Sequence, residues 1–258
     1  MKHAILLVAY GFATLQSRRV LSGFDERVRA LYPAHSVRWA YSSPLVRKRL
    51  AASGLKCDSV PKALFRMGFE RFEQVVIQPL QTIAGSEHAA MLEQIASVMR
   101  EQPLLVRVGA PLLHDKNDAS RVAASLVAHL PKERGAEDAV VFMGHGSRHP
   151  AGVMYEVLHA CVQNLDPFVH VATMDGRITL DTVMPKLCSE RVWLLPLLAT
   201  VGMHTLRDMA GSSESSWRSR LVARGYDCRV VLQGTVECAA LADIWLEHLN
   251  LAVSLNQP

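Results

Sequence analysis

The sequence predicts an α/β protein of two similar lobes, each a parallel sheet flanked by helices, with a cleft between the lobes. Three observations predict it. Short apolar runs alternate with longer amphipathic stretches along the 258 residues. The alternation stops at a polar stretch, Pro131-Lys132-Glu133-Arg134-Gly135-Ala136-Glu137-Asp138, and then restarts. Pieces of the first half also recur in the second. Leu6-Leu7-Val8-Ala9-Tyr10-Gly11 aligns with Val141-Phe142-Met143-Gly144-His145-Gly146, and the stretch from Ile77 to Gly85 aligns with that from Leu194 to Gly202. In both of the latter the glycine follows the proline (Pro79, Pro196) by six residues. Strand–helix alternation implies parallel strands joined by right-handed crossovers, and the restart implies a duplicated unit. The expected division is 1–135 for the first lobe and 136–258 for the second.

The elements follow from period and punctuation. Ile5–Tyr10, Val37–Tyr41, Gln74–Pro79 and Leu104–Val108 read as strands of the first lobe. Between and after them, helices are expected over Arg18–Leu31, Leu45–Leu50, Val60–Met67, Glu87–Arg100 and Asp118–Leu130. In Arg18–Leu31 the apolar residues Val20, Leu21, Phe24, Val28 and Leu31 recur near one face. The second lobe repeats the scheme. Strands are expected at Ala139–Met143, Val169–Thr173, Val192–Leu195 and Cys228–Leu232, and helices at Val153–Gln163, Leu180–Leu187 and Ala239–Leu249. A further helix starts near Thr205, breaks at Gly211-Ser212-Ser213 and resumes to about Arg224.

Composition narrows the function. Half the residues are hydrophobic and 20% are charged, an ordinary globular balance. Aromatics make up only 6%, which argues against a nucleic-acid surface built on base stacking. Lys and Arg number 28 against 24 Asp and Glu, a net +4 that suits a polyanionic small substrate and is too scattered for DNA. The five cysteines, Cys57, Cys161, Cys188, Cys228 and Cys238, are far apart and form no C-x-x-C, so reduced thiols in a cytoplasm are expected. The N-terminal apolar run is too short for a signal peptide and lacks its cleavage site, and no run approaches a membrane span. Phosphate-loop, dinucleotide-fingerprint, nucleophile-elbow and H-E-x-x-H motifs are all missing.

Three places can carry chemistry. In Met143-Gly144-His145-Gly146 a strand delivers a histidine into a turn flanked by glycines. An imidazole there can bind a borderline metal ion or accept a proton, or simply bond within the turn. His204 ends an apolar loop just before a helix, and the repeat pairs it with Glu87, as it pairs His145 with Tyr10. Asp175, after the strand ending at Thr173, reads either as a turn residue or as a carboxylate beside two imidazoles. Two imidazoles and one carboxylate with open positions suit an exchangeable Co2+, Fe2+ or Ni2+ ion. Tyr10, Glu87, His88 and Arg47 are candidate substrate-binding or supporting groups. His114, His129, His159 and His248 are expected at the surface, and Trp217 either in the core or as a lid.

These motifs together resemble the class II tetrapyrrole chelatases, and among them the anaerobic cobalt chelatases that act on sirohydrochlorin in cobalamin biosynthesis. The resemblance covers nearly the whole chain. It includes Val46-Arg47-Lys48, the Gly85 loop with Glu87, the glycine-flanked His145, Pro196 to His204, Asp208-Met209-Ala210 and Ser216-Trp217. It implies two pseudo-symmetric lobes and a metal held by His145 and His204. In the family a glutamate usually joins the two histidines, and this sequence has Asp175 there. It also implies His145 as acceptor of a pyrrole proton, Co2+ as substrate metal and no organic cofactor. A tetrapyrrole such as sirohydrochlorin would be the partner, with no nucleic acid and no membrane. Homo-oligomers remain open. The competing readings are an iron chelatase leading to sirohaem or a haem precursor, a carrier of metal or tetrapyrrole without turnover, and a hydrolase using the His145 turn.

Overall fold

The computed structural model describes residues 2–12 and 14–254 of the chain. It contains two four-stranded parallel sheets flanked by helices, the fold class expected. In the first sheet β1 (His3–Ala9) is flanked by β2 (Ser36–Tyr41) and β3 (Gln74–Pro79), with β4 (Leu105–Val108) beyond β3, giving the order β2-β1-β3-β4. In the second, β5 (Ala139–Gly146), β6 (Val169–Asp175), β7 (Arg191–Pro196) and β8 (Asp227–Val230) take the same order, β6-β5-β7-β8. The central strands are buried on both faces, which is why β1 and β5 read as continuous apolar runs rather than as alternation.

The duplication extends to individual hydrogen bonds. Val8 lies opposite Pro79 in the first sheet and Met143 opposite Pro196 in the second. Leu80 N–H donates to Val8 C=O at 2.7 Å, and Leu197 N–H to Met143 C=O at 2.8 Å. Leu112 N–H bonds Gln81 C=O at 2.9 Å, and Thr235 N–H bonds Leu198 C=O at 2.8 Å. Thus the loops that follow corresponding strands are closed by corresponding bonds.

The helices start where the sequence supplies caps. Thr14, Ser43 and Ser59 precede α1 (Leu15–Leu31), α2 (Pro44–Ala52) and α3 (Val60–Phe69), and each side-chain oxygen accepts a backbone N–H of the first turn. α4 spans Ser86–Glu101, α5 Lys116–Ala128 and α6 Val153–Leu165. The helix expected over Leu180–Leu187 is only one α turn, α7 (Leu180–Val183), followed by a 3-10 turn at Met184–Lys186. Pro185 explains the break, because it offers no N–H to an α-helical bond. The C-terminal half ends with a π-helix at His204–Met209, α8 (Trp217–Val222) and α9 (Ala239–Ser254).

The chain divides into two compact units, one of the residues up to Leu112 with those from Ala242 on, and a second of Leu113–Leu241. The polar stretch 131–138 therefore lies inside the second unit, not at its edge. α5 packs on α6, which places it in the second unit although it follows β4. Most of α9 goes with the first: Arg27 pairs with Asp243, Tyr32 Oη donates to Asn250 Oδ1 at 3.2 Å, and His248 Nδ1 bonds Ala110 C=O at 3.2 Å. Each sheet has its own apolar core, around Leu6, Leu64, Met67 and Ile77 in the first unit and around Val141, Met143, Leu194 and Leu221 in the second. Trp217 is 5% exposed and belongs to the second core, which decides between core and lid. Among the described residues no helix is long and apolar enough to cross a membrane.

Candidate functional site

β5 carries the first site histidine. The sequence places His145 in a turn after Met143, but the strand continues to Gly146, because Gly144 and Gly146 still pair with Thr173 and Asp175 of β6. Met143, Gly144 and Gly146 are buried while His145 is exposed, so the pleat turns this one polar side chain outward at the end of a buried strand. Gly146 is required there. Its φ is +84°, and a Cβ would lie 1.7 Å from the Asp175 carbonyl oxygen.

His204 comes from a different element. After β7 the chain runs through Leu197–Met203 into the π-helix, where the Ala210 N–H reaches the Thr205 carbonyl five residues back at 3.0 Å. Thr205 and Met209 are fully buried and fix this wide turn to the core, leaving His204 and Asp208 half-buried on its outer side. Turns of this type concentrate at functional sites. The sequence indicates a helix near Thr205, but propensities do not distinguish a π turn from an α turn.

The two imidazoles meet edge to face, with ring centroids 5.1 Å apart and planes at 81°. Both use Nδ1 locally. His145 Nδ1 bonds the Gly146 carbonyl oxygen at 3.3 Å, and His204 Nδ1 bonds Asp208 Oδ2 at 2.6 Å. An oxygen acceptor on Nδ1 favours the proton there, so that the neutral ring carries its lone pair on Nε2, the arrangement usual for metal-binding histidines. Asp208 in turn accepts from Arg207 Nε on Oδ1 at 2.8 Å. Partial burial opposes ionisation of Asp208, but Arg207 and His204 outweigh it and hold the carboxyl below its ordinary range.

Asp175 is the last residue of β6, not a turn residue beyond it. Its Oδ1 accepts from Arg148 Nε at 3.1 Å, and the side chains of Arg148 and Asp175 are 88% and 51% exposed. Among the described residues no group of three or more His, Cys, Asp or Glu side chains is gathered for a metal ion. The structure therefore brings His145 and His204 together and places the Asp175 carboxylate on Arg148.

The remaining candidates lie in the first unit. Tyr10 is exposed just past β1, and Glu87 is exposed in the first turn of α4. His88 is buried, with Nδ1 2.8 Å from Gln81 Oε1. Arg47 directs its guanidinium at the Tyr41 and Ser42 carbonyls, the latter at 2.8 Å, which ties α2 to the end of β2. Two histidines expected at the surface are not there. His248 is buried, and the half-buried His159 bonds the backbone of Val171. Sequence reading missed the bond between Asp208 and His204, although their spacing of four was visible. It also missed the Arg148–Asp175 pair, because strand neighbours carry no signature of their pairing in sequence.

Residues 3–254 match the family model described as "Cobalt chelatase (CbiK)". The chain is 48% identical over 257 residues to "Sirohydrochlorin cobaltochelatase CbiKC" of Nitratidesulfovibrio vulgaris, covering 98% of this chain and 91% of the relative. It is 28% identical to "Sirohydrochlorin cobaltochelatase" of Salmonella typhimurium, over 99% of this chain and 98% of that one. Among solved structures, the sirohydrochlorin chelatase SirB from Bacillus subtilis subspecies spizizenii in complex with cobalt superposes with a TM-score of 0.67 at 15% identity, covering 99% of this chain and 97% of SirB. That likeness establishes the fold. A family match over nearly the full length, with a relative of such high identity, settles membership: this chain belongs to the cobalt chelatase (CbiK) family.

Proposed function

We propose that this chain inserts Co2+ into sirohydrochlorin in the cytoplasm, with His145 and His204 receiving the metal and His145 accepting a pyrrole proton. The observation that carries the reading is the imidazole pair itself, 5.1 Å between centroids with each Nδ1 bonded to an oxygen. Rings this close could present both Nε2 atoms to one first-row ion, each at about 2.1 Å. Octahedral and tetrahedral coordination both leave positions open to ring nitrogens.

The chemistry sets the roles. Insertion exchanges two pyrrole protons for one divalent ion, so the site must hold the ion loosely and accept protons. Two neutral imidazoles meet the first need without trapping the metal as thiolates would. Nε2 of His145 could accept one of the two displaced pyrrole protons once it no longer serves as a ligand, the other passing to solvent water. Asp175 would supply a third ligand, an oxygen, on leaving Arg148, and the exposed guanidiniums of Arg148 and Arg207 would then meet carboxylates of the macrocycle. No organic cofactor enters this scheme.

The test is a spectroscopic insertion assay on sirohydrochlorin with Co2+, Fe2+ and Ni2+ in parallel. Turnover with Co2+ supports the proposal. Stoichiometric binding of metal or tetrapyrrole without turnover would reassign the protein as a carrier, and turnover with Fe2+ alone would reassign the metal.

A further inference from the structure

From the π turn that carries His204 we infer that Asp208 is a positioning residue for metal capture, fixing the His204 ring through Nδ1 so that Nε2 faces the ion. The inference rests on His204 being a metal ligand, as proposed above, and adds a residue with its own geometry.

Three features build it. The Nδ1–Oδ2 distance of 2.6 Å is that of a charge-assisted bond. It joins residues four apart within one turn, so the ring is held by its own element rather than by a distant loop. The carboxylate is itself held, because Arg207 Nε donates to Oδ1 at 2.8 Å and Nη2 makes a longer bond of 3.4 Å to Oδ2, the oxygen that also accepts from the imidazole.

The backbone beneath them is fixed as well. Thr205 and Met209 are fully buried on the inner side of the turn. Gly211 closes it where a Cβ would lie 2.3 Å from the Arg207 carbonyl oxygen. The Gly211 carbonyl then accepts from Ser216 Oγ at 2.7 Å, which anchors the exit of the turn at the start of α8. The stretch from Gly211 to Ser216 is thus tied down rather than a loose break in a helix. His145 lacks such support, since its Nδ1 reaches only the adjacent Gly146 carbonyl at 3.3 Å. The two histidines are therefore unequal. His204 is held in place before the metal arrives, and His145 is left able to turn, as a group that both ligates and accepts a proton must be.

The test compares Asp208→Ala, Asp208→Asn, Arg207→Ala and His204→Ala with the wild type. Co2+ binding is read from visible absorbance without tetrapyrrole, and the Co2+ KM and kcat are measured separately. Asp208→Ala should weaken Co2+ binding and raise its KM by about 10- to 100-fold, the usual effect of removing a partner of a metal-binding histidine, with a smaller change in kcat. In Asp208→Asn the single amide oxygen cannot accept from both Arg207 and His204 Nδ1, and an amide N–H facing Nδ1 puts the ring proton on Nε2, so this variant should bind Co2+ no better than Asp208→Ala, while Arg207→Ala should cost about two- to fivefold. Wild-type Co2+ affinity in Asp208→Ala overturns the inference. So does wild-type affinity in Asp208→Asn, because neither the carboxylate nor the ring tautomer it sets would then matter. If Asp208→Ala does not fold, Arg207→Ala decides, and wild-type affinity there overturns it. His204→Ala separates the two levels: strong loss of Co2+ binding in it with none in Asp208→Ala overturns only this inference, whereas wild-type binding in His204→Ala overturns the ligand assignment beneath it.

Discussion

His145 and His204 are far apart in the chain and no local rule of sequence joins them, yet their rings lie 5.1 Å apart at an angle of 81°, one carried by a strand end and the other by a π turn. Neither is buried, so neither is needed for packing. His145→Ala is expected to lower Co2+ insertion by at least about 100-fold, within the range for removing a catalytic proton acceptor, and His204→Ala to lower it through loss of a metal ligand, both with unchanged far-UV circular dichroism. Wild-type rates in both variants would refute the assignment.

The exposed Arg148–Asp175 pair makes opposite predictions for its two members. Asp175→Ala removes an oxygen ligand and should raise the Co2+ KM. Arg148→Ala releases the same carboxylate, and because exposed ion pairs contribute about 0–1 kcal/mol, it should lower the Co2+ KM by no more than about fivefold. The sirohydrochlorin KM should rise in Arg148→Ala alone. Steady-state titrations of each substrate check this, and an unchanged Co2+ KM in Asp175→Ala would remove Asp175 from the ligand set.

Gly146→Ala combines a positive φ of +84° with a Cβ 1.7 Å from the Asp175 carbonyl oxygen. The contact is with backbone and cannot be relieved by a rotamer change. Thermal or denaturant unfolding should show a loss of roughly 4 kcal/mol, or no soluble protein, and a loss below about 1 kcal/mol would contradict the geometry.

Stability should fall in mild acid. Burial first, then the neighbouring His159 and Lys186, push His170 down to about 4 from the ordinary 6.5, against the pull of Asp166. Burial lowers His159 as well. The unfolded chain therefore takes up protons near pH 6.5 while the folded chain resists until about pH 4, so stabilisation present above the unfolded value is lost as pH falls between them. Urea midpoints measured from about pH 7.5 to about pH 4.5 should decline through this window, and His170→Gln should flatten the decline. An equal slope in that variant would assign the acid sensitivity elsewhere.

The fold was legible because it rests on patterns with a period. The buried runs of β1 and β5 and the recurrence of Pro79–Gly85 in Pro196–Gly202 are local features that the sequence displays directly. The family was legible for the same reason, since its motifs are short and continuous. Two things were not legible. The grouping of α5 with the second sheet and of most of α9 with the first depends on which apolar face finds which partner, and that is a non-local choice. The site depends on pairing as well. His145 lies in a strand rather than a turn because β6 continues alongside it. Asp175 is committed to Arg148 because that same pairing sets the end of β6 beside the end of β5. By itself the sequence determined the residue types, the duplicated α/β scheme and the two histidines as candidates. Only the tertiary structure decided that the imidazoles touch, that Asp208 holds one of them and that Arg148 holds the carboxylate, because hydrogen bonds between side chains are fixed by distances and angles that no spacing along the chain specifies.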